Sequence, residues 1–113
     1  MRTRQEVITI VAELCSRTKP LFPQGKIEAI LFGSYAREDA DAGSDIDVLL
    51  LVDASRQMIA EQNWQVGDLA AELLLDYGVV VSPIVENRDY FKRNMELFPF
   101  YRSVESEGVR IGA

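Results

Sequence analysis

Gly33-Ser34-Tyr35-Ala36-Arg37 is followed seven residues later by Ser44-Asp45-Ile46-Asp47 and the apolar run Val48-Leu49-Leu50-Leu51-Val52. The strand-like segment Ile27-Glu28-Ala29-Ile30-Leu31-Phe32 leads into the first group. The backbone N–H groups after Gly33 therefore open a short helix and can face an anion. Asp45 and Asp47 stand two residues apart at the head of a second strand. Strand side chains alternate faces at roughly 3.3 Å per residue, so both carboxylates are expected on one side, about 6.6 Å apart along the backbone. At that spacing they can converge on one hard divalent cation.

Outward from this core, the pattern predicts helix, strand, short helix, strand, helix, strand, helices. Thr3 and Glu6 form a capping-box pair opening a helix that carries Val7, Ile8, Val11, Leu14 and Cys15 and ends near Thr18. Pro20, Pro23 and Gly25 break the pattern before a strand over Lys26 to Phe32. Glu38 to Gly43 reads as an exposed connection to the strand Asp45 to Val52, which is apolar on both faces beyond Asp47, as in a covered central strand. From Ser55 to Tyr77, Ile59, Val66, Leu69, Ala70, Leu73, Leu74 and Tyr77 recur at helical steps, and Gly78 ends the helix. Val79 to Val85 is the third strand, with Pro83 marking an edge or a bulge. Asn87 caps a short helix through Phe91 and Met95, and Pro99 begins a last helix ending at Gly108. The expectation is one α/β (α+β) domain over residues 1–113, a small mixed sheet of three to four strands flanked by helices.

A chain of 113 residues suits one ordinary domain with its own core. No apolar stretch approaches the ~18 residues of a membrane span, and Glu6 and Glu13 interrupt any signal-peptide core, so the expected location is the cytoplasm. Cys15 is the single cysteine and histidine is absent, which excludes an internal disulfide, a Cys/His zinc site and a His-based triad. Twelve basic against eighteen acidic side chains give a net charge of -6, which argues against general nucleic-acid binding. A small phosphorylated ligand stays compatible with that charge when a cation accompanies it.

Separately, each piece has an ordinary reading. Gly33-Ser34 is a common turn and cap, Asp45 and Asp47 a solvated strand entrance, and Arg37 a surface partner for Glu38 or Asp39. Together they form an arrangement that phosphoryl chemistry needs. Gly33-Ser34-Tyr35-Ala36-Arg37 with Ser44-Asp45-Ile46-Asp47-Val48-Leu49-Leu50 resembles the signature of the DNA polymerase beta-like nucleotidyltransferase superfamily, and the short length resembles its minimal members. The resemblance implies a nucleotidyltransferase-like fold. It also implies phosphate binding by Gly33, Ser34 and Arg37, and Mg2+ binding with catalysis at Asp45 and Asp47. The implied activity is transfer of a nucleotidyl group from magnesium–NTP, with ATP as the expected nucleotide, to a hydroxyl on a protein or small molecule.

The superfamily usually adds a third carboxylate from a neighbouring strand. Here that strand reads Gly78-Val79-Val80-Val81-Ser82-Pro83-Ile84-Val85, with Val80 and Ser82 sharing a face and no acid at its centre. Glu86 lies roughly 20 Å beyond Val80 along an extended strand, and Asp76 would have to reach around Gly78. Minimal members resemble antitoxins whose partner is a helical HEPN-type ribonuclease. The alternative to an active transferase is thus a nucleotide-binding antitoxin acting by complex formation, and a plain structural adaptor is a third class. A chain this short lacks a helical region to build an acceptor pocket, so a partner chain or a homodimer is expected. Tyr90, Phe91, Phe98, Phe100 and Tyr101 are candidates for that interface or for the sheet's own core.

Overall fold

A computed structural model describes residues 2–111. The capping box forms as the sequence predicts: Thr3 accepts from the Glu6 N–H while Glu6 accepts from the Thr3 N–H, opening α1 (Arg4–Thr18). One 3-10 turn (Lys19–Leu21) leads to β1 (Glu28–Phe32). The helix α2 (Ser34–Arg37) precedes β2 (Ile46–Val52), and α3 (Arg56–Tyr77) carries the chain to β3 (Val81–Asn87). Then come α4 (Arg88–Asn94), α5 (Pro99–Glu107) and β4 (Val109–Ile111).

The strands form one mixed sheet in the order β3-β2-β1-β4, in which β1 runs antiparallel to β2 and β4, and β2 parallel to β3. A parallel neighbour requires a crossover, which α3 supplies. Period-two alternation divides the sheet between two cores. Ala29, Leu31, Val48, Leu50 and Val52 pack with the α1 residues Val7, Val11 and Leu14 and the α3 residues Val66 and Leu73. On the opposite face Ile30, Leu49 and Leu51 pack with Phe91, Tyr101 and Val104. The apolar run after Asp47 thus belongs to a strand covered on both sides, as its composition predicts.

Several boundaries differ from the pattern. β1 begins at Glu28 rather than Lys26, where pairing with Leu51 begins. β3 begins at Val81 and extends to Asn87, following its parallel register from Ile46 to Val52. Pro83 lies on the edge strand, where a missing N–H is tolerated. Of the expected α3 core residues, Ile59, Val66 and Leu73 are buried, while Leu74 is exposed. The aromatics divide as well: Phe91 and Tyr101 are core, whereas Phe98 and Phe100 remain partly exposed.

Candidate functional site

The register sets the site. Phe32 on β1 pairs with Asp47 on β2, and Asp47 pairs with Ser82 on β3, so three strands present one row across the end of the sheet. Alternation puts this row on the face covered by α4 and α5, at the end of the Ile30–Leu49–Leu51 core. Asp45 precedes β2 by one residue and shares the parity of Asp47. The Ser82 hydroxyl approaches the Asp45 Oδ2 at 3.5 Å, which brings both aspartates to the same corner.

Gly33 links this row to the turn. Its backbone has φ +75° and ψ -155°, and a Cβ there would lie 2.4 Å from the Asp47 Oδ2. Glycine is required both by conformation and by contact, because that region of backbone space is nearly closed to other residues. The N–H groups of Ala36 and Arg37 donate to the Gly33 carbonyl. Ser34 and Tyr35 then contribute the unpaired N–H groups that head any helix. Tyr35 itself is buried, and its hydroxyl accepts from the Arg2 N–H at 3.2 Å.

Asp47 is half-buried. Burial raises its carboxyl above the ordinary aspartate range, the Asp45 charge adds to the rise, and Arg37 partly opposes it. Two oxygen donors that repel one another suit a hard divalent cation. No group of three or more His, Cys, Asp or Glu side chains is arranged to hold a metal among the described residues, so any cation would depend on these two carboxylates and on ligand or water oxygens.

A cleft of about 440 Å³ opens beside the row, a volume common for small-molecule sites. It is lined on the β1–β2 side by Phe32, Gly33, Ser34, Arg37 and Asp47. The opposite wall is α5, whose Phe100, Ser103, Val104 and Glu107 recur at helical spacing. Arg37 spans the two walls at one end: its Nε donates to Asp39 at 3.2 Å, and its guanidinium lies 3.8 Å from Glu107. The surface pairing considered for Arg37 is therefore formed, with Asp39 and not with Glu38. Glu38 instead accepts from Arg4.

The structure brings Gly33, Ser34, Arg37 and Asp47 to one cleft, with Asp45 beside them. Of the two candidates for the third position, Ser82 stands next to Asp47, and Val80 one step earlier, where its carbonyl accepts from the Ile46 N–H. Neither distant acid reaches the row. Glu86 is buried four residues further along β3, accepting from Tyr101, Arg56 and the Asn87 N–H, and Asp76 pairs with Arg17 at 2.8 Å. The α5 wall escaped sequence reasoning. Its signal was the 100, 103, 104, 107 spacing, which on its own is an amphipathic helix and nothing more.

Comparison with known proteins adds a family. Residues 7–110 match the model of the nucleotidyltransferase domain. Putative protein adenylyltransferase MJ0604 of Methanocaldococcus jannaschii is 41% identical over 75% of this chain and 78% of its own length. Putative protein adenylyltransferase MJ0141 of the same organism is 32% identical over 94% of this chain and 99% of its own. Among solved structures, a crystal structure of a toxin–antitoxin with AMP-PNP shares the fold at TM-score 0.55 and 17% identity, covering 94% of this chain and 73% of that one.

Proposed function

The chain belongs to the nucleotidyltransferase domain family, and from that premise we propose that it takes ATP with Mg2+ and transfers the nucleotidyl group to a hydroxyl on a protein partner. One observation carries the reading: the Gly33 backbone abuts the Asp47 carboxylate, which joins the phosphate-sized turn to the metal-capable row. Asp45 and Asp47 are the residues that hold the cation, and Gly33, Ser34 and Arg37 those that hold the phosphates. The bound cation supplies neutralisation of the phosphate oxygens and of the departing pyrophosphate.

The chemistry balances simply. The acceptor oxygen forms a bond to the α-phosphorus, the bond from that phosphorus to the β-phosphate bridging oxygen breaks, and the electron pair leaves with pyrophosphate. Arg37 exchanges Asp39 and Glu107 for phosphate oxygens. The acceptor proton passes to water or to a base that the acceptor brings, since Ser82 offers a hydroxyl where the superfamily pattern has a carboxylate. A protein acceptor is favoured by the names of the archaeal relatives MJ0604 and MJ0141, each called a putative protein adenylyltransferase. The resemblance to minimal nucleotidyltransferases motivates a helical HEPN-type protein as that partner, the toxin–antitoxin neighbour is in keeping with a protein partner, and a homodimer is the other assembly considered.

The serine at position 82 favours a second reading, an antitoxin that binds nucleotide and silences its partner by complex formation. One experiment separates the two. With α-labelled ATP and a co-expressed helical partner, transfer predicts label on the partner that disappears in Asp47→Asn. Inhibition of the partner with no label favours the second reading and overturns transfer.

A further inference from the structure

The cleft has an order from end to end. Arg37 marks one end by its contact with Glu107, Gly33 and Asp47 follow, and the Phe32 ring beside Asp47 packs edge-to-face with Phe100 at a centroid distance of 5.4 Å. The α5 wall runs in the same sense. Glu107 faces Arg37, and Phe100 stands seven residues earlier, about 10 Å along the helix at 1.5 Å per residue. Val104 is 1% exposed and fixes this wall to the second core, whereas Phe100 is 41% exposed on the same helix face.

A buried phenylalanine at this place would need no ligand to explain it. A partly exposed aromatic ring, held by Phe32 and Tyr101 and lining the cleft, offers a flat apolar platform of the kind on which bases stack. A triphosphate with its tail at Ser34 and Arg37 and its α-phosphorus near Asp47 runs out of polar wall where Phe100 begins. The lining residues around Phe100 on α5 are Ser103 and Val104, of which only the serine carries a polar side chain.

We propose that Phe100 is the nucleobase platform of this site, and that the protein selects among nucleotides by stacking area, purines over pyrimidines, more than by reading base edges. This rests on the nucleotide reading above and adds to it the subsite and the basis of selection. Phe98, Leu97, Ile84 and Val80 are also exposed apolar side chains, and none of them lines the cleft.

The test compares two probes on one protein: Mg–ATP, which has a base, and Mg–tripolyphosphate, which has none. Calorimetric affinities are measured for wild type, Phe100→Ala, Phe100→Leu and Phe100→Trp. The leucine variant keeps apolar packing against Phe32, so its result does not depend on tolerance of a cavity. The expected result is about a tenfold loss of ATP affinity in the alanine and leucine variants, the order that stacking one base gives. Tripolyphosphate affinity should stay within twofold, the tryptophan variant should retain ATP binding, and wild type should bind ATP more tightly than CTP. An ATP-to-tripolyphosphate ratio unchanged in both the alanine and leucine variants overturns the platform and leaves the phosphate site standing. Binding of neither probe by wild type overturns the nucleotide reading itself, and the platform with it.

Discussion

Two glycines of this chain predict opposite outcomes for the same substitution. At Gly33 an added methyl would sit 2.4 Å from the Asp47 Oδ2 on a backbone with φ +75°. Gly33→Ala is expected to cost roughly 1–3 kcal/mol from backbone conformation alone, and to lower transfer further by displacing the Asp47 carboxylate. Gly67 lies within α3, where nothing stands within 4 Å of an added Cβ. Gly67→Ala is expected to stabilise by about 1 kcal/mol through helix propensity, with transfer unchanged. Thermal melts with rates from α-labelled ATP check both, and equal effects at the two sites would contradict the site geometry. Ser82 supports a second substitution test. Its register beside Asp47 implies that Ser82→Asp supplies a third carboxylate to the row. The variant should be less stable without cation, regain stability with Mg2+, and transfer faster, by up to the ~100-fold at the low end of general-base contributions. Val80→Asp, one step off the row, should not speed transfer.

At the scale of elements, α5 is joined to β3 by a buried polar contact. Tyr101 donates its hydroxyl to the Glu86 Oε1 at 2.7 Å, and Arg56 donates to the same carboxylate while its guanidinium stacks 3.7 Å over Tyr90. Burial raises the Tyr101 phenol far above its ordinary range, and the hydrogen bond to Glu86 raises it further. The folded state thus holds the proton more tightly than the unfolded chain. The stabilisation is complete below the unfolded value of about 10, and it declines as pH rises from there towards the folded value. Tyr101→Phe should cost about 1–3 kcal/mol near neutrality by removing a partner from a buried carboxylate. It should also flatten the decline in stability above about pH 10, as measured by urea unfolding across pH. The elements bearing on the site differed in legibility. The Thr3–Glu6 box, the Asn87 cap and the Gly78 stop are local signals and formed where the spacing put them. The strand ends were set by partners: β4 is three residues long and exists because Ala29 to Leu31 accept it as a neighbour. The expectation for Gly33, Ser34 and Asp47 could be drawn from sequence because the two halves of the motif lie at adjacent ends of consecutive, antiparallel strands joined by a short connection. The α5 wall could not be, since Phe100 and Asp47 meet only through the antiparallel pairing that seats Phe32 between them.

Across the molecule, the row at Phe32, Asp47 and Ser82 lies where the two cores approach one end of the sheet. Tyr35 and Ala36, just after the Gly33 turn, pack with the first core, while Val104 on the α5 wall packs with the second. A ligand in the cleft touches elements from both and so favours the whole folded chain over its unfolded state. The thermodynamic consequence follows from mass action. At a hundredfold excess over its dissociation constant, a ligand that binds only the folded state stabilises it by about 2.7 kcal/mol. For a chain of 113 residues that corresponds to a rise in melting temperature on the order of 10 °C. Mg–ATP should produce such a rise. Asp47→Asn removes one of two carboxylates that repel each other in a half-buried setting, so this variant should be at least as stable as wild type without ligand and should lose the Mg–ATP response. The two effects point in opposite directions, which separates lost binding from lost folding. A wild type whose melting temperature does not move with Mg–ATP, or an Asp47→Asn variant that keeps the full rise, would place nucleotide binding elsewhere than this row.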